Sequence, residues 1–200
     1  MTILSQEQKN KLIKLFEEKK FFDLEFEIES ISNFRDRSAF LANMLGVVKL
    51  RNPTVTEKDF EEARKLFKDS YEKDPNYIDA LCNLGHVSLK LRNYDYIFKE
   101  LKKFKKEKGY NAKVYETLAR IFFFIGQIDE ALTLYKDMVN KGDLSQDASA
   151  HFLCTLNYSS NFSQQEYLGY CKKINERFKP KNLQNLIDYK FEKNAKNLNI

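Results

Sequence analysis

"ALCNLGHVSLKLRNYDYIFKELKKF", residues 80–104, and "VYETLARIFFFIGQIDEALTLYKDM", residues 114–138, carry one pattern twice. Leu84-Gly85 aligns with Leu118-Ala119, Tyr94 with Ile128, Ile97 with Ala131 and Leu101 with Tyr135, each pair offset by 34. Each copy reads as two amphipathic helices joined by a short turn, with apolar residues three and four apart. A unit of this size cannot bury its apolar face alone, so a fixed period implies stacked copies.

The period and the residues are those of the tetratricopeptide repeat: a large residue, Leu-Gly, an aromatic, then Ala-x3-Phe and Pro. Tyr115, Leu118, Ala119 and Phe122 fill the first half, Ala131 and Tyr135 the second, and Gly126 sits at the turn, where tolerance of positive φ is useful. An earlier copy has Leu45-Gly46, Ala63-x3-Phe67 and Pro75. Its Gly46 and Ala63 are 17 apart against 12 for Ala119 and Ala131, so "RNPTVTEKD" is a lengthened turn, with Thr56 and Asp59 placed to cap the next helix. "NKLIKLFEEKK" and "FFDLEFEIESI" predict a degenerate hairpin before it, with Leu12, Leu15 and Phe16 on one side and Leu24, Ile28 and Ile31 on the other. The expected fold is all-α: a right-handed tetratricopeptide helix-turn-helix solenoid with a C-terminal capping helix. The hairpin spans 1–35, and the repeats span 36–75, 76–109 and 110–143. A last helix A plus the capping helix fill 144–180, and 181–200 is a linker or tail. Gly46, Gly85 and Ala119 are expected where helix A presses on helix B of its own repeat. Ala63 and Ala131 mark close crossings, with Ile97 a tolerated enlargement. A generic bundle explains three copies in register poorly.

Three consecutive phenylalanines, Phe122 to Phe124, cannot share one helix face. Phe122 is expected to pack inside its own repeat. Phe123 and Phe124 turn toward the concave side, at least one of them partly exposed.

With 42% hydrophobic and 32% charged residues in a 200-residue chain, composition fits a soluble helical domain and not disorder. A net charge of +5 is too mild to imply nucleic acid. The opening "MTILSQEQKNK" lacks the pattern of a signal peptide, and the apolar run Ile121–Ile125 is too short to span a bilayer. A cytoplasmic location is therefore expected. Cys82, Cys154 and Cys171 fit scattered reduced thiols better than disulfides or zinc. His86 and His151 lack the companions a catalytic or metal site needs. No catalytic residue, metal or cofactor is expected. In "KELKKFKKEKG", 99–109, Leu101 and Phe104 are core positions and the lysines form a solvated convex face, with acidic partners or RNA as the alternative.

After the repeats, a fourth helix A places Phe152-Leu153 at the Leu-Gly site and Leu156 at the aromatic site. "TLNYSSNFSQQE" then makes a polar turn, with Ser163 and Glu166 as a capping box and Phe162 and Tyr167 as a hydrophobic staple. The next helix aligns Tyr167, Tyr170, Cys171, Ile174 and Phe178, and stops at Pro180. This junction, with Leu156, Asn157, Tyr158, Ser163 and Glu166, resembles that of the O-linked N-acetylglucosamine transferase and SPINDLY family. The resemblance, over about residues 36 to 180, implies a repeat arm that recruits acceptor proteins to a nucleotide-sugar-dependent catalytic half. Two departures stand against it. Of the asparagines that precede Leu-Gly in that family only Asn83 is kept, with Met44, Thr117 and His151 elsewhere. No phosphate loop or catalytic constellation occurs, and "FEKNAKNLNI" reads as a linker toward a missing domain, with Leu198 and Ile200 like the opening of a strand.

The groove-facing stripe of the A helices supplies the candidate peptide-binding residues. They are Asn43 and Val47 in the first repeat. The second contributes Asp79, Cys82, Asn83, His86, Leu89 and Lys90, and the third Lys113, Glu116, Thr117, Arg120, Phe123 and Phe124. Such a mixture suits an extended peptide with one apolar anchor, and the alternative is a solvated face without a ligand. The expected function is a protein- or peptide-binding module, the recruiting arm of a glycosyltransferase of that family or a free-standing adaptor. Homodimerisation stays open.

Overall fold

The structure, a computed structural model, describes residues 4–31, 37–51 and 54–178. Ten helices and no strand are found among them: α1 (Gln6–Glu17), α2 (Phe21–Ile31), α3 (Ala39–Lys49), α4 (Glu57–Lys73), α5 (Ile78–Lys90), α6 (Asp95–Lys108), α7 (Ala112–Phe124), α8 (Ile128–Lys141), α9 (Gln146–Leu156) and α10 (Gln164–Phe178). The fold is all-α, of the helical-hairpin repeat type. The chain divides into two compact units, Met1–Leu144 and Ser145–Ile200. The predicted tail over 181–200, Pro180, Leu198 and Ile200 lie outside the described residues, as do residues 1–3, 32–36 and 52–53.

In the first unit α1 packs on α2, α3 on α4, α5 on α6 and α7 on α8. Successive hairpins join through α2–α3, α4–α5 and α6–α7, and the first helices of hairpins also pack directly, α3 on α5 and α5 on α7. Among the described residues no such close helix packing links α4 to α6 or α6 to α8, although side chains bridge the first pair: the Tyr71 hydroxyl donates to Glu100 Oε2 at 3.0 Å and Lys68 lies over the Tyr96 ring at 5.1 Å. One side of the stack is therefore closed by helix-on-helix contact, and on the other the second helices are more widely spaced, α4 and α6 meeting through side chains.

Local chemistry sets the helix ends. Ser5 accepts from the Gln8 N–H while the Gln8 side chain accepts from the Ser5 N–H, and Thr56 and Asp59 form the same reciprocal box at α4. Asn111 caps α7 through the Val114 N–H. The turns inside the hairpins repeat too. The Gln127 N–H donates to the Phe122 carbonyl (2.9 Å) and the Asn93 N–H to the Ser88 carbonyl (2.9 Å), which is the six-to-one bond of a Schellman end. Gly126 takes φ 79° there, and Arg92, 34 residues earlier, takes φ 54° at the same place.

The N-terminal core gathers Leu12, Leu24, Ile28, Leu41, Leu45, Val48 and Leu66, with Leu15, Phe16 and Ile31 packed against it. The degenerate hairpin is thus sealed onto the first repeat through α2 and α3. Deeper in the stack Ala63, Ala119 and Ala131 are fully buried, and Phe67, Tyr135 and Ile97 nearly so.

Two packing expectations need correction. A Cβ on Gly46 would meet the Phe67 ring at 2.6 Å, so Gly46 does sit under helix B of its own hairpin. A Cβ on Gly85 would instead meet Thr117 Cγ2 at 2.3 Å, while Ile97 and Leu101 of its own hairpin stay at 3.7 Å. Gly85 therefore serves the approach of α5 to α7, between repeats. Likewise Phe122 sets its ring edge-on to Phe98 of α6, centroids 5.2 Å apart, and so reaches into the preceding hairpin. Phe123 is half-buried, and Phe124, the last residue of α7, is 60% exposed.

In the second unit Ser145 caps α9 through the Ala148 N–H. The Ser163–Glu166 box forms at α10, with the Glu166 N–H donating to Ser163 Oγ at 3.2 Å and the Ser163 N–H to Glu166 Oε2 at 3.0 Å. Phe162 has Tyr170 as a ring neighbour, at 5.8 Å, and lines one hollow with Tyr167, its expected staple partner. Tyr170 also meets Phe152 of α9 at 4.9 Å. Tyr167, Tyr170, Cys171, Ile174 and Phe178 are the half-buried positions of α10, which buries no residue completely.

Candidate functional site

The closed side of the first unit is built by α3, α5 and α7. Its polar side chains are tied across repeats. Asn83 Nδ2 donates to Asn43 Oδ1 at 2.9 Å, and Asn43 Nδ2 donates to the Tyr77 hydroxyl at 3.2 Å. Burial, followed by the nearby Asp79 charge, raises the Tyr77 pKa, so the phenol stays protonated and available. Lys113 Nζ lies 2.6 Å from Asp79 Oδ1, and this carboxylate raises the lysine's pKa. Thr117 Oγ1 donates back to the Lys113 carbonyl at 2.8 Å.

These bonds sort the candidate residues. Asn43, Cys82, Leu89 and Thr117 are buried, so they hold helices together. Burial pushes the Cys82 thiol up to about 12, against a hydrogen bond with Thr117. Val47, Asp79, Asn83, His86, Glu116, Arg120 and Phe123 are half-buried, and Lys90, Lys113 and Phe124 are exposed. Arg120 Nε is buried without a hydrogen-bond partner. Tyr77 was missed, because it precedes α5 and no repeat position marks it. Asn43 was read as lining the groove, yet it is the central acceptor and donor of the rail. Its partner Asn83 lies 40 residues away, off the 34-residue period.

The side of the second helices carries a feature that sequence reading took for solvated surface. Between α6 and α7 a cleft of ≈ 460 Å³ is floored by Tyr115, Leu118 and Phe122 of α7 and edged by Lys102, Lys105 and Lys106 of α6. A second hollow of ≈ 340 Å³ continues from Lys105 and Tyr115 to Lys136, Asp137 and Asn140. Lys102 lies over the Phe98 ring at 5.0 Å and Lys105 over the Tyr115 ring at 5.6 Å. The only available signal was the alternation of lysine with Phe98 and Phe104, which also describes an ordinary amphipathic helix.

Among the described residues no cluster of three or more His, Cys, Asp or Glu could hold a metal ion. No described helix is long and apolar enough to cross a membrane.

No protein-family model matches the chain, and no curated protein matches it. Among solved structures it is similar to MamA 41-end from Desulfovibrio magneticus RS-1, at 13% identity over 86% of this chain and 93% of that one, with a TM-score of 0.66. It is also similar to MamA AMB-1, at 18% identity over 85% and 96% of the two chains with a TM-score of 0.63, and to MamA MSR-1, at 18% over 85% and 94% with 0.61. At these identities the likeness is one of fold. It supports the tetratricopeptide part of the sequence reading and gives no support to the glycosyltransferase part.

Proposed function

We propose that this chain is a protein-interaction scaffold whose closed face, built by α3, α5 and α7, takes up an extended segment of a partner protein. The observation that carries this is the rail Asn83–Asn43–Tyr77, set beside the Asp79–Lys113 pair. Side chains already fixed by mutual hydrogen bonds lose little freedom when a ligand arrives. Asn83 spends one amide hydrogen on Asn43 and keeps its Oδ1 for a backbone N–H of the segment. Exposed Phe124 offers the apolar anchor, with Lys90 and Lys113 as exposed cations. The adaptor reading fits the comparisons better than the recruiting arm of a glycosyltransferase, which rests on the junction motif alone.

The test is selection of displayed peptides on the purified chain, followed by titration against variants. Asn83→Ala and Phe124→Ala are each expected to weaken the selected peptides by about tenfold, the equivalent of one lost hydrogen bond or anchor. Helicity should stay unchanged. Peptides that bind both variants as tightly as the original chain overturn the proposal.

A further inference from the structure

The outward face of α2 is the reverse of what a solvated helix needs. Leu24 and Ile28 are fully buried, while Phe22 is 84% exposed and Phe26 is 69% exposed on the opposite side. Phe22, Phe26 and Glu29 follow the i, i+4, i+7 spacing of one stripe. The stretch 21–31 contains Asp23, Glu25, Glu27 and Glu29 and no Lys or Arg. Glu25 and Glu27 pair with Lys49 and Lys11, while among the described residues Asp23 and Glu29 form no direct ion pair, with Lys20 acting on Asp23 and Arg37 and Lys49 acting on Glu29 only through their charge. Two neighbouring phenylalanines held in water, flanked by exposed carboxylates, mark a surface suited to being covered.

The α6–α7 cleft has the complementary chemistry. Lys102, Lys105 and Lys106 edge an apolar floor, no carboxylate lines that hollow, and none of the three lysines is in an ion pair with a described residue. Lys102 and Lys105 are ordered over aromatic rings without being neutralised. Elsewhere in the first unit Lys11, Lys20, Lys49, Lys73 and Lys113 are paired with carboxylates. α2 does not pack on α6, α7 or α8 of its own chain, so the two surfaces are separate.

We propose that the Phe22–Phe26 face of α2 docks into the Lys102–Lys105–Lys106 cleft of a second copy of this chain. The phenyl rings would cover Tyr115, Leu118 and Phe122, and Asp23 and Glu29 would meet the lysines, as an amphipathic helix fills a groove. Donor and acceptor are different patches, so the contact is heterologous and each bound copy leaves one free face for the next. Salt weakens the charge component but spares the apolar one. This surface is distinct from the closed face proposed for partner segments.

The experiment is sedimentation of the full chain over a concentration series, beside a donor-face variant (Phe22→Ser with Phe26→Ser) and an acceptor-face variant (Lys102→Glu with Lys105→Glu). All substituted residues are exposed, and circular dichroism confirms that helicity is kept. The unsubstituted chain should grow in mass with concentration and pass beyond a dimer. Each variant alone should stay monomeric. Mixed together, the two should form a heterodimer and stop there, since each supplies one intact face. An unsubstituted chain that stays monomeric throughout, self-association that survives either variant, or a mixture that remains monomeric would each overturn the proposal.

Discussion

Lys113 Nζ and Asp79 Oδ1 lie 2.6 Å apart across 34 residues of sequence, one repeat period, and so tie α7 to α5 at the same place in successive hairpins. Both side chains are about half or more exposed, so the pair serves to set register more than to stabilise. A double-mutant cycle with Asp79→Ala and Lys113→Ala is expected to give a coupling of roughly 0.2–1 kcal/mol, shrinking as salt is added. A coupling of several kcal/mol would show that the pair is effectively buried.

Gly85→Ala should destabilise the chain by about 1–3 kcal/mol, because the added methyl overlaps Thr117 Cγ2. The intrinsic helix gain from Gly to Ala, about 1 kcal/mol, is too small to offset that overlap. Thr117→Ser removes Cγ2 and keeps the hydroxyl that bonds the Lys113 carbonyl, so it should rescue much of the loss. Chemical denaturation of the single and double variants reads this directly. An equally unstable double variant would place the clash elsewhere.

Arg92→Gly should stabilise. A non-glycine residue in the left-handed region costs about 1–2 kcal/mol, and the extra unfolded-state freedom of glycine returns part of that. The expected net gain is about 0.5–1 kcal/mol, visible as a rise in the denaturation midpoint. Gly126→Ala, at the equivalent turn, should shift the midpoint the other way.

The Thr56–Asp59 box makes stability depend on acid. The hydrogen bond from the Thr56 hydroxyl, then that from its backbone N–H, hold the Asp59 carboxyl below the usual Asp value. A group depressed in the folded state contributes above its unfolded pKa and loses that contribution as pH falls through its folded pKa. Asp59→Asn should therefore be less stable than the original chain at neutral pH, with the difference closing in acid below the ordinary Asp range. Denaturation midpoints at several pH values test the sign, and a gap that stays constant in acid would contradict it.

Cys82 should resist thiol reagents in the folded chain. Burial pushes its thiol up to about 12, which leaves little thiolate at neutral pH. Cys154 is exposed and should react first. Mass spectrometry after a brief alkylation should find Cys82 unmodified until denaturant is added. Early labelling of Cys82 would mean that α5 and α7 separate readily.

The sequence by itself determined the helical hairpins, their 34-residue period, the capping boxes at Thr56–Asp59 and Ser163–Glu166, and the glycine turn at Gly126. Apart from the period, which is read by comparing copies, each of these rests on residues a few positions apart, where backbone geometry and a single side chain decide the outcome. Burial of Leu101 within the basic run was legible for the same reason. Tertiary structure decided which repeat each small or aromatic residue serves: Gly85 receives Thr117 of the next hairpin, and Phe122 reaches Phe98 of the one before. It also decided that Asn43 binds Asn83 and Tyr77, a set with no shared repeat register. The lysines of α6 edge a cleft because α7 packs beside α6 and brings Tyr115, Leu118 and Phe122 beneath them. A side chain's helical period fixes which way it faces. Only the spacing between neighbouring helices fixes what it meets there.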